Sequence, residues 1–182
     1  MEIRSWVDSV PEVSGNKISG TAIVYDSETT IMDSRGKTFT EVVRRGSLNF
    51  PSDTLCTFNH DPNELLGRTS SGTLRLKEDA RGLHFECDLP EYAKPKIQEM
   101  IRRGDLKGCS WTFETVKDNW STRNAKPFRE LTAINVFELG PVVSPAYSTT
   151  DVQLRSGLSI WNAKLKLIDL DINNTPRFRS CT

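Results

Sequence analysis

The stretch TLRLKEDARGLHFECDL, residues 73–89, decides the fold class. In its second half Leu83, Phe85 and Cys87 alternate with His84, Glu86 and Asp88, the period-two pattern of a strand with one buried and one solvated face. Residues 73–77 have the same strand character, and the link EDARG between the two runs reads as a hairpin, with Ala80 leaving the turn type open. Upstream, residues 17–25 (KISGTAIVY) and 54–60 (TLCTFNH) are further short strands, separated by Gly, Asp, Ser and Asn clusters.

Downstream comes one helix. Pro95 suits the first helical position, Ile97, Met100 and Ile101 fall on one face, Arg102 and Arg103 fill the last turn, and Gly104 stands where a left-handed cap belongs. Residues 107–116 and 128–139 return to strand character. Many short strands with an embedded helix predict a mainly β fold, a barrel or sandwich surrounded by a few helices. From about Asp151 the character changes: Trp161, Leu165, Ile168 and Ile172 are spaced like one helical stripe, and a loose end, NNTPRFRSCT, follows.

The chain has 182 residues, enough for one domain with a real core plus a tail. Lys plus Arg (24) balances Asp plus Glu (24), so no strong field favours nucleic acid or anionic lipid. No apolar run approaches the roughly 20 residues of a membrane helix, and MEIRSWVDSV does not read as a signal peptide. Cys56, Cys87, Cys109 and Cys181 form no Cys-x-x-Cys pair, which argues against structural zinc and for free thiols in a reducing, intracellular setting. No cofactor is expected.

Peptide hydrolysis needs a nucleophile, a base and an orienting acid. Of the two histidines, His84 belongs to a solvated sheet face, whereas His60 closes TLCTFNH at a rim, before the turn Asp61-Pro62. On position alone, a histidine steadying that turn is the commoner case. Ser110 follows Gly108 in LKGCSWTF, and alternation puts Cys109, Trp111 and Phe113 on one face and Ser110, Thr112 and Glu114 on the other, where the serine looks toward a cleft. An ordinary polar-face serine is again the commoner case. Cys109 is a rival nucleophile, but it points with the aromatics, as an inert thiol does. Glu138 shares a face with Ile134 and Val136, so its carboxylate needs a specific donor. An imidazole or an arginine serves equally well on spacing, and Glu114, Asp61 and Asp105 compete for the acid's role.

Three blocks carry a resemblance: NHDPNELLGRTSSGTLRLKEDARGLHFECDLP, IRRGDLKGCSWTFETV and FELGPVVSPAYSTTDVQLR. Together they resemble the prohead protease family of tailed phages, over about Gly20 to Arg155. The resemblance implies a protease domain over residues 1–155, a helical or disordered tail over 156–182, and a barrel ringed by helices like that of the herpesvirus assemblins. Carried over by position, it makes His60 the base, Ser110 the nucleophile and Glu138 the third member. Backbone N–H groups near the Gly-rich turns are candidates for the oxyanion hole, with Arg102 and Arg103 as candidate helpers. Two departures stand out: Thr112 precedes Phe113 where the family often has Gly-Phe, and no second histidine occupies the assemblin third position. The implied role is a serine endopeptidase inside the immature shell, in the host cytoplasm. Its partners would be the major capsid protein with its scaffold segment, and itself as substrate or homo-oligomer. A catalytically silent assembly module on the same fold is the alternative; a plain oligonucleotide-binding barrel lacks the basic aromatic platform it would need.

Overall fold

A computed structural model describes residues 1–6, 10–33 and 35–144. The chain runs β1 (Glu2–Trp6), β2 (Glu12–Ser14), β3 (Lys17–Val24), β4 (Thr29–Met32), β5 (Thr38–Val43), β6 (Leu48–Asn49), β7 (Leu55–Phe58), β8 (Asp61–Arg68), β9 (Leu74–Glu78) and β10 (Gly82–Asp88). The helix α1 (Lys94–Arg103) follows, then β11 (Gly108–Arg123) and β12 (Lys126–Val142). The fold is mainly β with one short helix, as expected in outline. The strands form two sheets that are not closed into a barrel, and no second helix occurs among the described residues. The expected boundary near residue 155 and the tail stripe lie outside the described residues.

The larger sheet is built around β12. Along one edge it pairs antiparallel with β11, and along the other it pairs parallel, in turn, with β5, β6 and β7. β1 then lies antiparallel on the far side of β11, with Ser5 opposite Ser110. The smaller sheet has the order β2-β3-β10-β9. Its β9–β10 link is the expected hairpin, with the Asp79 carboxylate accepting the N–H groups of Arg81 and Gly82. In β10 the anticipated alternation holds, with Leu83, Phe85 and Cys87 buried and His84, Glu86 and Asp88 partly exposed.

Both sheets contribute to one core: Ile18, Ile23, Leu83 and Phe85 from the smaller, Phe113, Ile134, Val136 and Leu139 from the larger, and Ile97 from α1. Each such side chain stabilises the fold by about 1.5–3 kcal/mol on burial. The helix ends as its sequence says, with Gly104 left-handed at φ 73° and its N–H bonded to the Ile101 carbonyl.

Two strands are longer than their apolar patterns imply. β11 and β12 continue through a polar, turn-rich run to a two-residue hairpin turn at Asn124 and Ala125, whose φ values are 51° and 59°. That turn type demands left-handed backbone at both positions, which glycine adopts freely and alanine only at an energetic cost. Ala125→Gly should therefore raise stability by about 1 kcal/mol, or roughly 2–4 °C in Tm for a chain of this size. Thermal unfolding followed by circular dichroism measures it, and an unchanged or lower Tm contradicts the assignment of strain.

Candidate active site

β7 and β8 are joined by a second two-residue left-handed turn, Asn59 (φ 53°) and His60 (φ 59°), closed by the pair Phe58 and Asp61. His60 is therefore a turn residue, not the end of a strand, and Asp61-Pro62 opens β8 instead of forming the turn. Pro62 is tolerated because β8 pairs only with β7, so its missing N–H falls on an edge strand. Asn and His are the non-glycine residues that enter the left-handed region most readily. The turn is also tethered: the Asn59 N–H donates to the Pro141 carbonyl at 3.1 Å, and the Asn59 side-chain oxygen accepts the Val143 N–H at 2.9 Å.

This tether aims the imidazole across the end of the larger sheet. His60 Nε2 lies 2.6 Å from Ser110 Oγ, and Nδ1 lies 3.1 and 3.0 Å from the two oxygens of Glu138. Ser110 stands on β11 opposite Gly140, and Glu138 on β12 opposite Thr112. Two hydroxyls complete the carboxylate's shell: Thr112 donates at 2.9 Å, and Thr57 of β7 donates to the other oxygen. The structure thus brings together the three residues singled out from the sequence. It also adds Thr57 and Thr112, which went unread as donors, although Thr112 shares Ser110's strand face.

Burial pushes the Glu138 carboxyl up, but the hydrogen bond and charge of His60 and the two threonine hydroxyls outweigh it, holding the group below the ordinary carboxylate value. An ionised Glu138 fixes the proton of a neutral imidazole on Nδ1 and leaves Nε2 to accept from a hydroxyl, the arrangement that activates a serine.

Ser110 does not look out on an open cleft, as the alternation implied. It is wholly buried, with β1 alongside it in the sheet and the His60 imidazole against its hydroxyl. The Ser5 hydroxyl donates to Ser110 Oγ at 2.9 Å, and Ser110 in turn reaches the Arg4 carbonyl at 2.7 Å.

The competitors lie elsewhere. His84 faces Thr21 and Asp79 on the smaller sheet. Asp61 accepts from Asn63, Glu114 is exposed, and Asp105 pairs with Arg103 while Arg102 pairs with Glu99. Cys56, Cys87 and Cys109 are buried free thiols. The Cys56 thiol is pushed up by its contact with Cys87 and by burial, away from nucleophilic reactivity. Among the described residues no group of three or more His, Cys, Asp or Glu side chains could hold a metal ion.

A nucleophile, base and acid linked in this order can carry out acyl transfer. The family model described as caudovirus prohead serine protease matches residues 7–162. The chain belongs to that family of serine peptidases, a family of capsid maturation. No curated protein and no solved structure matches the chain.

Two measurements bear on this geometry. Because Glu138 titrates lower in the folded chain than in the unfolded one, the unfolded chain takes up the proton first as pH falls, and the stability from its ionised form is lost on acidification. Glu138→Gln should therefore show a shallower loss of stability below pH 4.5 than wild type in urea titrations; equal slopes would contradict the lowered value. Gly140 is the second probe, since a Cβ there would lie 1.9 Å from the Thr57 carbonyl oxygen. Gly140→Ala should cost on the order of 1–3 kcal/mol as β7 is forced away from β12, read as a lower urea midpoint at unchanged slope.

Proposed function

We propose that Ser110 is the nucleophile, His60 the general base and then acid, and Glu138 the residue that orients His60, in an endopeptidase that cuts scaffold segments from the major capsid protein. The single observation that carries this reading is the unbroken relay from Glu138 through His60 to Ser110, with every distance within hydrogen-bond range. Ser110 Oγ bonds to the scissile carbonyl carbon, and its proton passes to His60 Nε2 and on to the departing amine. Water, deprotonated by the same imidazole, then releases the acyl group. The enzyme works inside the immature shell in the host cytoplasm, cuts its own chain as well, and associates with its own copies. An assemblin-like origin of the architecture fits the predominance of strands.

Co-expression with the capsid protein of the same genome tests this. Wild type should yield a capsid protein of lower mass, and Ser110→Ala should leave it full length, with turnover lower by on the order of 10⁶-fold. Glu138→Ala, which loses orientation but not the nucleophile, should lose on the order of 10⁴-fold. Processing that survives in Ser110→Ala removes the mechanism.

One observation favours a second reading. The complete burial of Ser110 suits a catalytically silent assembly module. A fluorophosphonate, which reacts only with an activated serine, separates the two: labelling at Ser110 supports the protease, and its absence from assembled particles supports the module.

A further inference from the structure

Three features of β1 are more than a sheet edge needs. Its Arg4 carbonyl, not merely its side chains, meets the Ser110 hydroxyl at 2.7 Å. Its Arg4 guanidinium turns to the opposite face, where it stacks over Phe113 at 5.4 Å and bonds Glu41 of β5 through two nitrogens, at 2.6 and 2.9 Å. Glu41 itself is only 4% exposed. A small, solvent-open recess lies beside this dipeptide, lined by Arg4, Ser5, Glu41, Thr29 and Trp111 among others.

An extended peptide adds to a sheet edge in this antiparallel way, main chain paired and alternate side chains in recesses. Here it is the Arg4 carbonyl oxygen that meets Ser110 Oγ, so a peptide that is cut must turn its carbonyl carbon to the hydroxyl. The charges around the recess support the comparison. Arg129 also bonds Glu41, at 3.0 Å, and bonds Asp118 at 2.7 Å, while Glu2 of β1 bonds both arginines. Withdrawal of β1 takes away Glu2 and Arg4 together and leaves one arginine facing two carboxylates. The local charge balance is unchanged, but Glu41 loses its two-nitrogen partner and is left sharing Arg129 with Asp118, and a buried carboxylate without its own partner is costly.

We infer that β1 occupies the enzyme's own substrate groove, and that Glu41 is a specificity-determining residue that selects an arginine immediately before the scissile bond. This inference rests on the assignment of Ser110 as nucleophile. The substrate is an extended peptide with arginine followed by a small residue, as in Arg4-Ser5. Ser110 Oγ attacks the arginine carbonyl carbon, the C–N bond to the next residue breaks, and that residue's amine leaves with the proton carried by His60. β1 must leave the groove before such a peptide enters.

Two synthetic peptides test the recess with the full chain: Glu-Ile-Arg-Ser-Trp-Val, copied from residues 2–7, and the same peptide with citrulline, neutral and of equal shape, in place of arginine. Wild type should cut the arginine peptide with kcat/KM on the order of 10²-fold above the citrulline one, the range expected for a buried charge pair. In Glu41→Gln that ratio should fall toward unity; a ratio does not depend on how much of the variant folds. Arg4→Ala, which leaves Glu41 in place and loosens β1, should raise the rate of both fluorophosphonate labelling and arginine-peptide cleavage. If Ser110 labels but the two peptides are cut alike, or neither is cut, the specificity assignment is overturned while the nucleophile stands. If Ser110 labels in no variant, the nucleophile falls and this inference with it.

Discussion

The buried carboxylate of Glu138 is the constraint around which the site is arranged. An ionised group at 5% exposure is unsustainable in an apolar core without donors on most of its lone pairs. The chain supplies them from three directions: an imidazole from the β7–β8 turn, a hydroxyl from β7 and a hydroxyl from β11. Each demand fixes a strand. β7 must run beside β12 in parallel register, β11 must place Thr112 opposite Glu138, and Gly140 must lack a side chain so that the Thr57 backbone can approach. Once those are met, Ser110, two residues from Thr112 on the same strand, has nowhere to be except beside His60. The reactive geometry follows from satisfying a single acid.

Strands whose one face is apolar were readable in the sequence, because period-two alternation is a direct imprint of burial. β10 emerged that way, β3 and β9 emerged from their β-branched and apolar content between turn clusters, and α1 emerged from its proline start, apolar face and glycine stop. The short parallel strands β5 and β6 were unreadable for a physical reason. They pair with β12 over a few residues and take their order from it, so their own sequences need carry little pattern. β8 was hidden by Pro62 and its polar neighbours, which resemble a turn and are accommodated only because the strand has a free edge. The outer halves of β11 and β12 were hidden because a solvated hairpin arm needs backbone pairing and no apolar stripe.

The site was legible to the extent that its members are chemically unusual: one rim histidine, one serine after a glycine in an aromatic strand, one acid among apolar neighbours. What surrounds them was not legible. Nothing in MEIRSW says that it will cross 106 residues of sequence to flank a serine. Nor does Glu41, in TFTEVV, declare that two arginines will converge on it. Such partners are set by register between strands distant in the chain, and register is a property of the completed sheet. The left-handed backbone at His60 belongs to the same class, since only the two-residue turn reveals that the imidazole sits where glycine would be the relaxed choice.

The separations within the site have a bearing on when it can exist. His60 meets Glu138 across 78 residues and Ser110 across 50, and the strand that holds Glu138 is the last one described in the chain. Contacts of such long span form late in folding, because the entropy of closing large loops precedes their reward. A polypeptide still emerging from the ribosome has its serine and its histidine but not the β12 spine that aligns them. The relay from Glu138 through His60 to Ser110 therefore comes together in one step, with the closing of the larger sheet.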